Sequence, residues 1–137
     1  MKKKVLFICT HNSARSQMAE GLLRHMFGEY YEAHSAGTAP SRVSPQAIEV
    51  MKEINIDITK QHSKSINEFY KAGIDCVVTV CDRAREACPV FPEAKELLHK
   101  GFEDPSASKG SDEEIIAAYR RVRDEIRNWI KDTFIQP

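Results

Sequence analysis

Apolar residues along the 137-residue chain form short continuous runs and stretches with helical spacing. Residues 4–9 are a nearly unbroken apolar run, as is typical of a strand buried on both faces of a parallel sheet. Residues 74–80 are the most strand-like run in the chain by residue preference. Residues 30–36 and 96–102 are two further candidate strands. Because these strands alternate with helices, we predict an α/β fold, with a central parallel sheet of about four strands and helices on both faces.

Four segments have the apolar spacing of a helix with one buried face. The clearest begins at Ser111, because Ser111 and Glu114 form the capping-box pattern and helical spacing follows. Another begins at Ser44, with Pro45 in the first helical position. The other two are residues 18–27, ended by Gly28, and residues 66–72, ended by Gly73. No repeat or linker interrupts the pattern, so residues 1–137 are expected to form a single domain.

The charge balance limits the classes of partner. Twenty basic and twenty acidic side chains give a formal net charge of zero, so binding to nucleic acid or to an anionic membrane is not expected. The apolar run that follows the basic N-terminus is too short for a signal peptide or a membrane span. We therefore predict a cytoplasmic protein and, from its unpatterned surface, a monomer.

Four cysteines suggest thiol chemistry or metal binding, because a cytoplasmic chain rarely keeps structural disulfides. They are Cys9, Cys76, Cys81 and Cys88. No CxxC pair occurs and the five histidines lack zinc-ligand spacing, so no metal site is predicted. Cys76 lies within a Val-rich run and is expected to serve packing alone.

The segment CTHNSAR, residues 9–15, connects the first predicted strand to the first predicted helix. In an open α/β sheet, ligands bind beyond the carboxyl ends of the strands. Backbone N–H groups at a helix N-terminus bind anions, and an arginine can bind two oxygens at once. We therefore predict a site for a tetrahedral oxyanion. Its residues are Cys9, Thr10, His11, Asn12, Ser13, Ala14 and Arg15.

Cys9 is the candidate nucleophile of this site. A helix N-terminus and a nearby arginine both favour the thiolate form of a cysteine, which is the reactive form. Ser13 and Ser16 supply hydroxyl groups that can hold the loop or donate to the sulfur. The alternative is that Cys9 is a buried cysteine at the end of a strand, without a chemical role.

The CxxxxxR spacing followed by Ser16 resembles the phosphate-binding loop of the low-molecular-weight tyrosine phosphatases. The resemblance extends to EDP at residues 103–105, where Asp104 occupies the position of the general acid of that fold. It implies a low-molecular-weight tyrosine phosphatase-like fold, in which Asp104 protonates the departing oxygen.

Cys81 and Cys88 exceed what a phosphatase needs. The residues between them favour a short helix, and Pro89 prevents its extension. Seven helical residues span about 10.5 Å, whereas a disulfide requires Cα atoms within roughly 7 Å. A disulfide would therefore require this helix to unwind, at little cost for so short a segment. The spacing indicates a redox relay with a conformational switch; the alternative is two small buried thiols.

Several segments resemble the thioredoxin-coupled arsenate reductases over almost the full length. They are CTHNSARSQMAEG, VTVCDRAREACP, GFEDP and RVRDEI. The resemblance implies that Cys9 attacks arsenate, that Cys81 displaces arsenite and forms a disulfide with Cys9, and that Cys88 takes over that disulfide. It also implies thioredoxin as the electron donor, a role in arsenic detoxification, phosphate or sulfate as competitors, and weak phosphomonoesterase activity.

Some members of this family bind a potassium ion beside the loop. The matching residues are Asn12, Glu20 and Ser35, whereas Lys64 stands where those relatives have an aspartate. A lysine ammonium would compete with a monovalent cation for the same oxygen atoms. We therefore predict that potassium is not required. The alternative is that Lys64 extends into solvent, as most lysines do.

Two other functions share some of these features. Low-molecular-weight tyrosine phosphatases usually carry aromatic residues after the Asp-Pro pair, where this chain has Ser106, Ala107 and Ser108. A non-enzymatic thiol redox sensor would change shape by the same disulfide exchange, and it would need neither Arg15 nor Asp104. The three cysteines favour the reductase over the phosphatase.

Overall fold

The computed structural model describes residues 2–81, 91 and 94–134. Four parallel strands form one sheet in the order β2-β1-β3-β4. The strands are β1 (Lys3–Cys9), β2 (Tyr31–Gly37), β3 (Cys76–Thr79) and β4 (Glu96–His99). Residues 5–9 of β1 are all buried, in keeping with the unbroken apolar run in the sequence. The predicted parallel sheet is confirmed.

Three α-helices lie within the described residues, and they contact one another. They are α1 (Arg15–Phe27), α2 (Pro45–Lys52) and α3 (Asp112–Thr133). The Ser44 hydroxyl caps α2 by accepting from Ala47 N, and Ser111 and Glu114 form the predicted capping box of α3. None of these helices combines the length and the apolar character that crossing a membrane requires.

The helix predicted over residues 66–72 is wrong, because only Ile66–Glu68 forms a single 3₁₀ turn. Ser65 and Glu68 cap this turn reciprocally. Ile66 and Phe69 are both buried, and their three-residue separation matches the 3₁₀ repeat. Both side chains therefore reach the core without an α-helix.

The register of the sheet brings three chain segments to one edge. Cys9 is paired with Gly37, and Ile8 with Thr79. Beyond β4, Phe102 N donates to Val80 O at 3.0 Å, so the following loop stays beside the end of β3. The carboxyl ends of the strands thus meet where a ligand site is expected.

A buried arginine joins α2 to α3. The Arg123 side chain donates from Nη1 to Val50 O and to Glu53 Oε1, each at 2.8 Å. Arg120 donates to both carboxylate oxygens of Glu53. The hydrogen bonds from Arg120, and then those from Arg123, hold the pKa of Glu53 below its ordinary value.

Replacing Arg123 by alanine is expected to lower the free energy of unfolding by about 2 kcal/mol, because it removes charged hydrogen bonds from a buried position. The matched control is Arg121→Ala, whose partner Glu103 is exposed, so its loss should cost about 0–1 kcal/mol. Urea unfolding at neutral pH measures both changes. Equal losses in the two variants would contradict this account.

The contribution of Glu53 to stability depends on pH. Because the pKa of Glu53 is lower in the folded protein, the stabilisation from its ion pairs is present above the unfolded pKa and is lost as the pH falls through the folded pKa.

Candidate active site

The predicted oxyanion loop lies between the last residue of β1 and the first residue of α1. Cys9, which ends β1, is 2% exposed. Ala14 precedes α1 and offers no side chain to cap it. The first N–H groups of α1 therefore have no capping side chain, and N–H groups in this position are suited to an anionic ligand.

The Cys9 sulfur has a directed hydrogen-bond partner. Cys9 Sγ lies 2.8 Å from Ser16 Oγ, and Asn12 Nδ2 donates to the same Ser16 oxygen at 2.7 Å. When Cys9 is a thiolate its sulfur can only accept, so in that state the Ser16 hydroxyl is the donor of this contact. Such a donor stabilises negative charge on sulfur.

Asn12 is itself held in a fixed orientation. It adopts a left-handed backbone with φ of 49°, and its Oδ1 accepts from Lys64 N at 2.8 Å and from Gln17 Nε2 at 2.9 Å. Gln17 is fully buried. The sequence analysis does not identify Gln17 as a site residue. Its position beside the apolar face of α1 was the available signal, because a polar side chain buried there needs hydrogen-bond partners.

Gly37, at the end of β2, allows the loop to close. A Cβ added to Gly37 would lie 2.6 Å from Thr10 O and 2.9 Å from Asn12 N. Main-chain bonds also tie the loop to the segment that follows, since Ala39 N donates to Thr10 O at 2.8 Å. The strand predicted over residues 30–36 stops just before Gly37, and the contact of Gly37 with residues 10–12 is not local in sequence.

The remaining loop residues make contacts of several kinds. The His11 ring is exposed and its Nδ1 lies 3.0 Å from Ala39 O. The Ser13 carbonyl accepts from Ser44 N at 2.9 Å. In both residues the described bonds hold the loop in place.

Arg15 and Asp104 meet beside the loop. The Arg15 side chain is 13% exposed; its Nη1 donates to Phe102 O at 3.1 Å, and its Nη2 lies 3.6 Å from Asp104 Oδ2. The guanidinium and the carboxyl are thus placed together, although they are 89 positions apart in sequence.

Cys81 lies next to the predicted oxyanion loop. Cys81 follows β3 and is 4% exposed, and its Sγ is 3.5 Å from Thr10 Oγ1. Val80 N donates to Ile8 O, which keeps this part of the chain against the end of β1. Cys88, and the short helix predicted between the two cysteines, lie outside the described residues.

Cys76 differs from Cys9 and Cys81 in its surroundings. Cys76 begins β3, whereas Cys81 follows the other end of that strand. Cys76 is 2% exposed. Burial, followed by the negative charge of Glu96, raises the pKa of the Cys76 thiol to about 12. At neutral pH this thiol is protonated and a poor nucleophile.

The Lys64 ammonium lies near Glu20, one of the three residues that match the potassium site of relatives. Its Nζ donates to His62 O at 2.6 Å and lies 3.6 Å from Glu20 Oε1. Ser35 Oγ donates to the same Glu20 oxygen at 2.5 Å. The Lys64 side chain is 21% exposed, so it does not extend into solvent. Within the part of the chain that the structure describes, no three His, Cys, Asp or Glu side chains cluster as metal ligands.

Replacing Gly37 by alanine is expected to weaken phosphate binding about ten-fold or more, because the added methyl group would displace the loop backbone. Titration calorimetry measures the affinity, and thermal unfolding separates displacement of the loop from loss of the fold. The control is Ser41→Ala, since Ser41 contacts the loop only through its main-chain N–H. An unchanged affinity in Gly37→Ala would show that the loop tolerates the methyl group.

Structural comparisons give close matches over nearly the whole chain. An arsenate reductase solved in its oxidized state has a TM-score of 0.82 and 31% identity, covering 95% of each chain. A thioredoxin-dependent arsenate reductase from Corynebacterium glutamicum has a TM-score of 0.67 and 29% identity, covering 96% of this chain and 61% of that one.

Sequence comparisons agree with the structural ones. An arsenate reductase from Halalkalibacterium halodurans is 47% identical over 130 residues, which cover 95% of this chain and 94% of that protein. The family model for low molecular weight phosphotyrosine protein phosphatase matches residues 4–135. The chain therefore belongs to the low molecular weight phosphotyrosine protein phosphatase family.

Proposed function

We propose that this chain is a thioredoxin-dependent arsenate reductase that acts in arsenic detoxification through Cys9, Cys81 and Cys88. The observation that carries the proposal is the contact of the Cys81 thiol with Thr10, within the oxyanion loop. A phosphatase has no use for a second thiol at this position. The similarity to proteins named arsenate reductase, one of them thioredoxin-dependent, supports the same activity.

The first step is attack on arsenate. The loop N–H groups and Arg15 bind the oxyanion, and Ser16 stabilises the Cys9 thiolate. The sulfur–arsenic bond forms while one arsenic–oxygen bond breaks. Asp104, next to Arg15, protonates the departing oxygen, which leaves as water.

The second step is the reduction. The Cys81 thiolate attacks the Cys9 sulfur, and the sulfur–arsenic bond breaks with its electron pair remaining on arsenic. Arsenic(V) becomes arsenic(III), arsenite leaves, and a Cys9–Cys81 disulfide forms. The Thr10 hydroxyl, 3.5 Å from the Cys81 sulfur, is placed to stabilise the attacking thiolate.

The third step restores Cys9. Cys88 attacks the Cys81 sulfur, which releases the Cys9 thiolate and forms a Cys81–Cys88 disulfide. A dithiol of thioredoxin then reduces that disulfide. The part played by Cys88, and the unwinding of the segment before it, follow from the cysteine spacing and the family resemblance. The cycle needs reduced thiols, which suits a single monomeric domain in the cytoplasm.

Phosphate fits the same loop but cannot accept two electrons, so it acts as a competitor of arsenate. Weak phosphomonoesterase activity is expected, because the nucleophile, the arginine and the acid are shared. The turn after Asp104 presents exposed Ser106 and Ala107, which offer no aromatic surface to a tyrosine ring. This arrangement favours a small oxyanion over a phosphotyrosine substrate.

The central test measures NADPH oxidation with thioredoxin and thioredoxin reductase, with arsenate added last. Arsenate is expected to drive oxidation, and Cys9→Ser, Cys81→Ser and Cys88→Ser should each abolish it. Cys76→Ala is the control and should remain active, because its thiol lies away from the loop. Turnover of an aryl phosphate with only Cys9 required, and no response to arsenate, would identify a phosphatase instead.

Activity is proposed to be independent of potassium, because the Lys64 ammonium supplies a positive charge beside Glu20. Exchanging sodium for potassium at constant ionic strength should leave kcat and KM for arsenate unchanged. In Lys64→Asp, potassium should raise turnover, because the ammonium is gone and a carboxylate is added. Lys60→Asp, the same substitution at an exposed lysine, is the control. A clear rise with potassium in the unmodified protein would refute this assignment.

A further inference from the structure

The two carboxyl oxygens of Asp104 have different neighbours. Oδ1 accepts hydrogen bonds from Ser106 N at 3.0 Å and from Ser106 Oγ at 2.7 Å. Oδ2 lies 3.6 Å from Arg15 Nη2, on the side of the oxyanion loop. The carboxyl group is therefore held with one oxygen against its own turn and the other towards the site.

Hydrogen bonds, more than packing, set this orientation. The Asp104 side chain is 37% exposed and Ser106 is exposed, so no tight packing encloses the carboxyl. The backbone N–H of residue 106 would remain in any variant. The hydroxyl is the part of the arrangement that depends on serine at this position.

We propose that Ser106 is a positioning residue whose hydroxyl directs the acidic proton of Asp104 to Oδ2, facing the bound oxyanion. A carboxylic acid carries its proton on one oxygen and accepts on the other. Since two donors occupy Oδ1, the proton is placed on Oδ2. This inference rests on the proposed function, in which Asp104 is the general acid.

The proton on Oδ2 is the one consumed in the first step. As the Cys9 sulfur–arsenic bond forms, the arsenic–oxygen bond breaks, and the proton passes from Oδ2 to the departing oxygen to give water. Solvent then returns a proton to the Asp104 carboxylate. Ser106 acts only through Asp104, so its loss should affect the rate of this step and leave arsenate binding unchanged.

Without the hydroxyl, only the backbone N–H of residue 106 still donates to Oδ1, so the preference for which oxygen carries the proton is weaker. Ser106→Ala is therefore expected to lower the single-turnover rate of arsenite release, and kcat, by roughly 2- to 10-fold, as the loss of one orienting hydrogen bond does. KM for arsenate should stay unchanged. Ser106→Thr, which keeps a hydroxyl, should restore the rate, and Ser108→Ala in the same loop is the matched control.

A double variant distinguishes positioning from general damage to the turn. If Ser106 acts through the acid, adding Ser106→Ala to Asp104→Asn should cause no further loss of rate. An additive loss, or a Ser106→Ala rate equal to that of Ser108→Ala while Asp104→Asn is slow, would overturn the proposal. Failure of the proposed function gives different results. If Asp104→Asn keeps the full rate, Asp104 is not the general acid. If the unmodified protein releases no arsenite, the proposed activity itself is wrong.

Discussion

The parallel register of β1 between β2 and β3 is the constraint on which the candidate site depends. It sets Cys9 opposite Gly37 and Ile8 opposite Thr79, so the chain leaving β3 passes directly beside the oxyanion loop. Cys81 reaches Thr10 for this reason. A shift of one residue in either pairing would turn alternate side chains to the other face and separate the two thiols.

The direction of the buried hydrogen bonds matters as much as their number. Gln17 donates to Asn12, and Asn12 donates to Ser16, whose Oγ lies 2.8 Å from the Cys9 sulfur. Gln17, Asn12 and Ser16 are fully buried, so water does not compete for these bonds. Both amides are therefore held in one orientation, and the series ends at the Ser16 hydroxyl beside Cys9.

Local patterns in the sequence predicted the elements of the fold well, and its contacts between distant segments less well. The capping residues Ser44 and Ser111 are encoded within a few positions and were correctly predicted. The loop spacing indicated Cys9 and Arg15, but Gly37 acts through contacts across the sheet edge, which no local pattern contains. The helix expected over residues 66–72 failed because its apolar spacing also fits a single tight turn.

Arg15 is held in place by contacts within the protein itself. The Phe102 carbonyl accepts from its guanidinium at 3.1 Å, and the side chain is 13% exposed. A free arginine side chain loses about 1.5–2 kcal/mol of conformational entropy when it is immobilised. Here that loss occurs when the chain folds and not when an anion arrives. Under the proposed function, part of the affinity for a small, strongly hydrated oxyanion is therefore secured by the carbonyl of a residue 87 positions away.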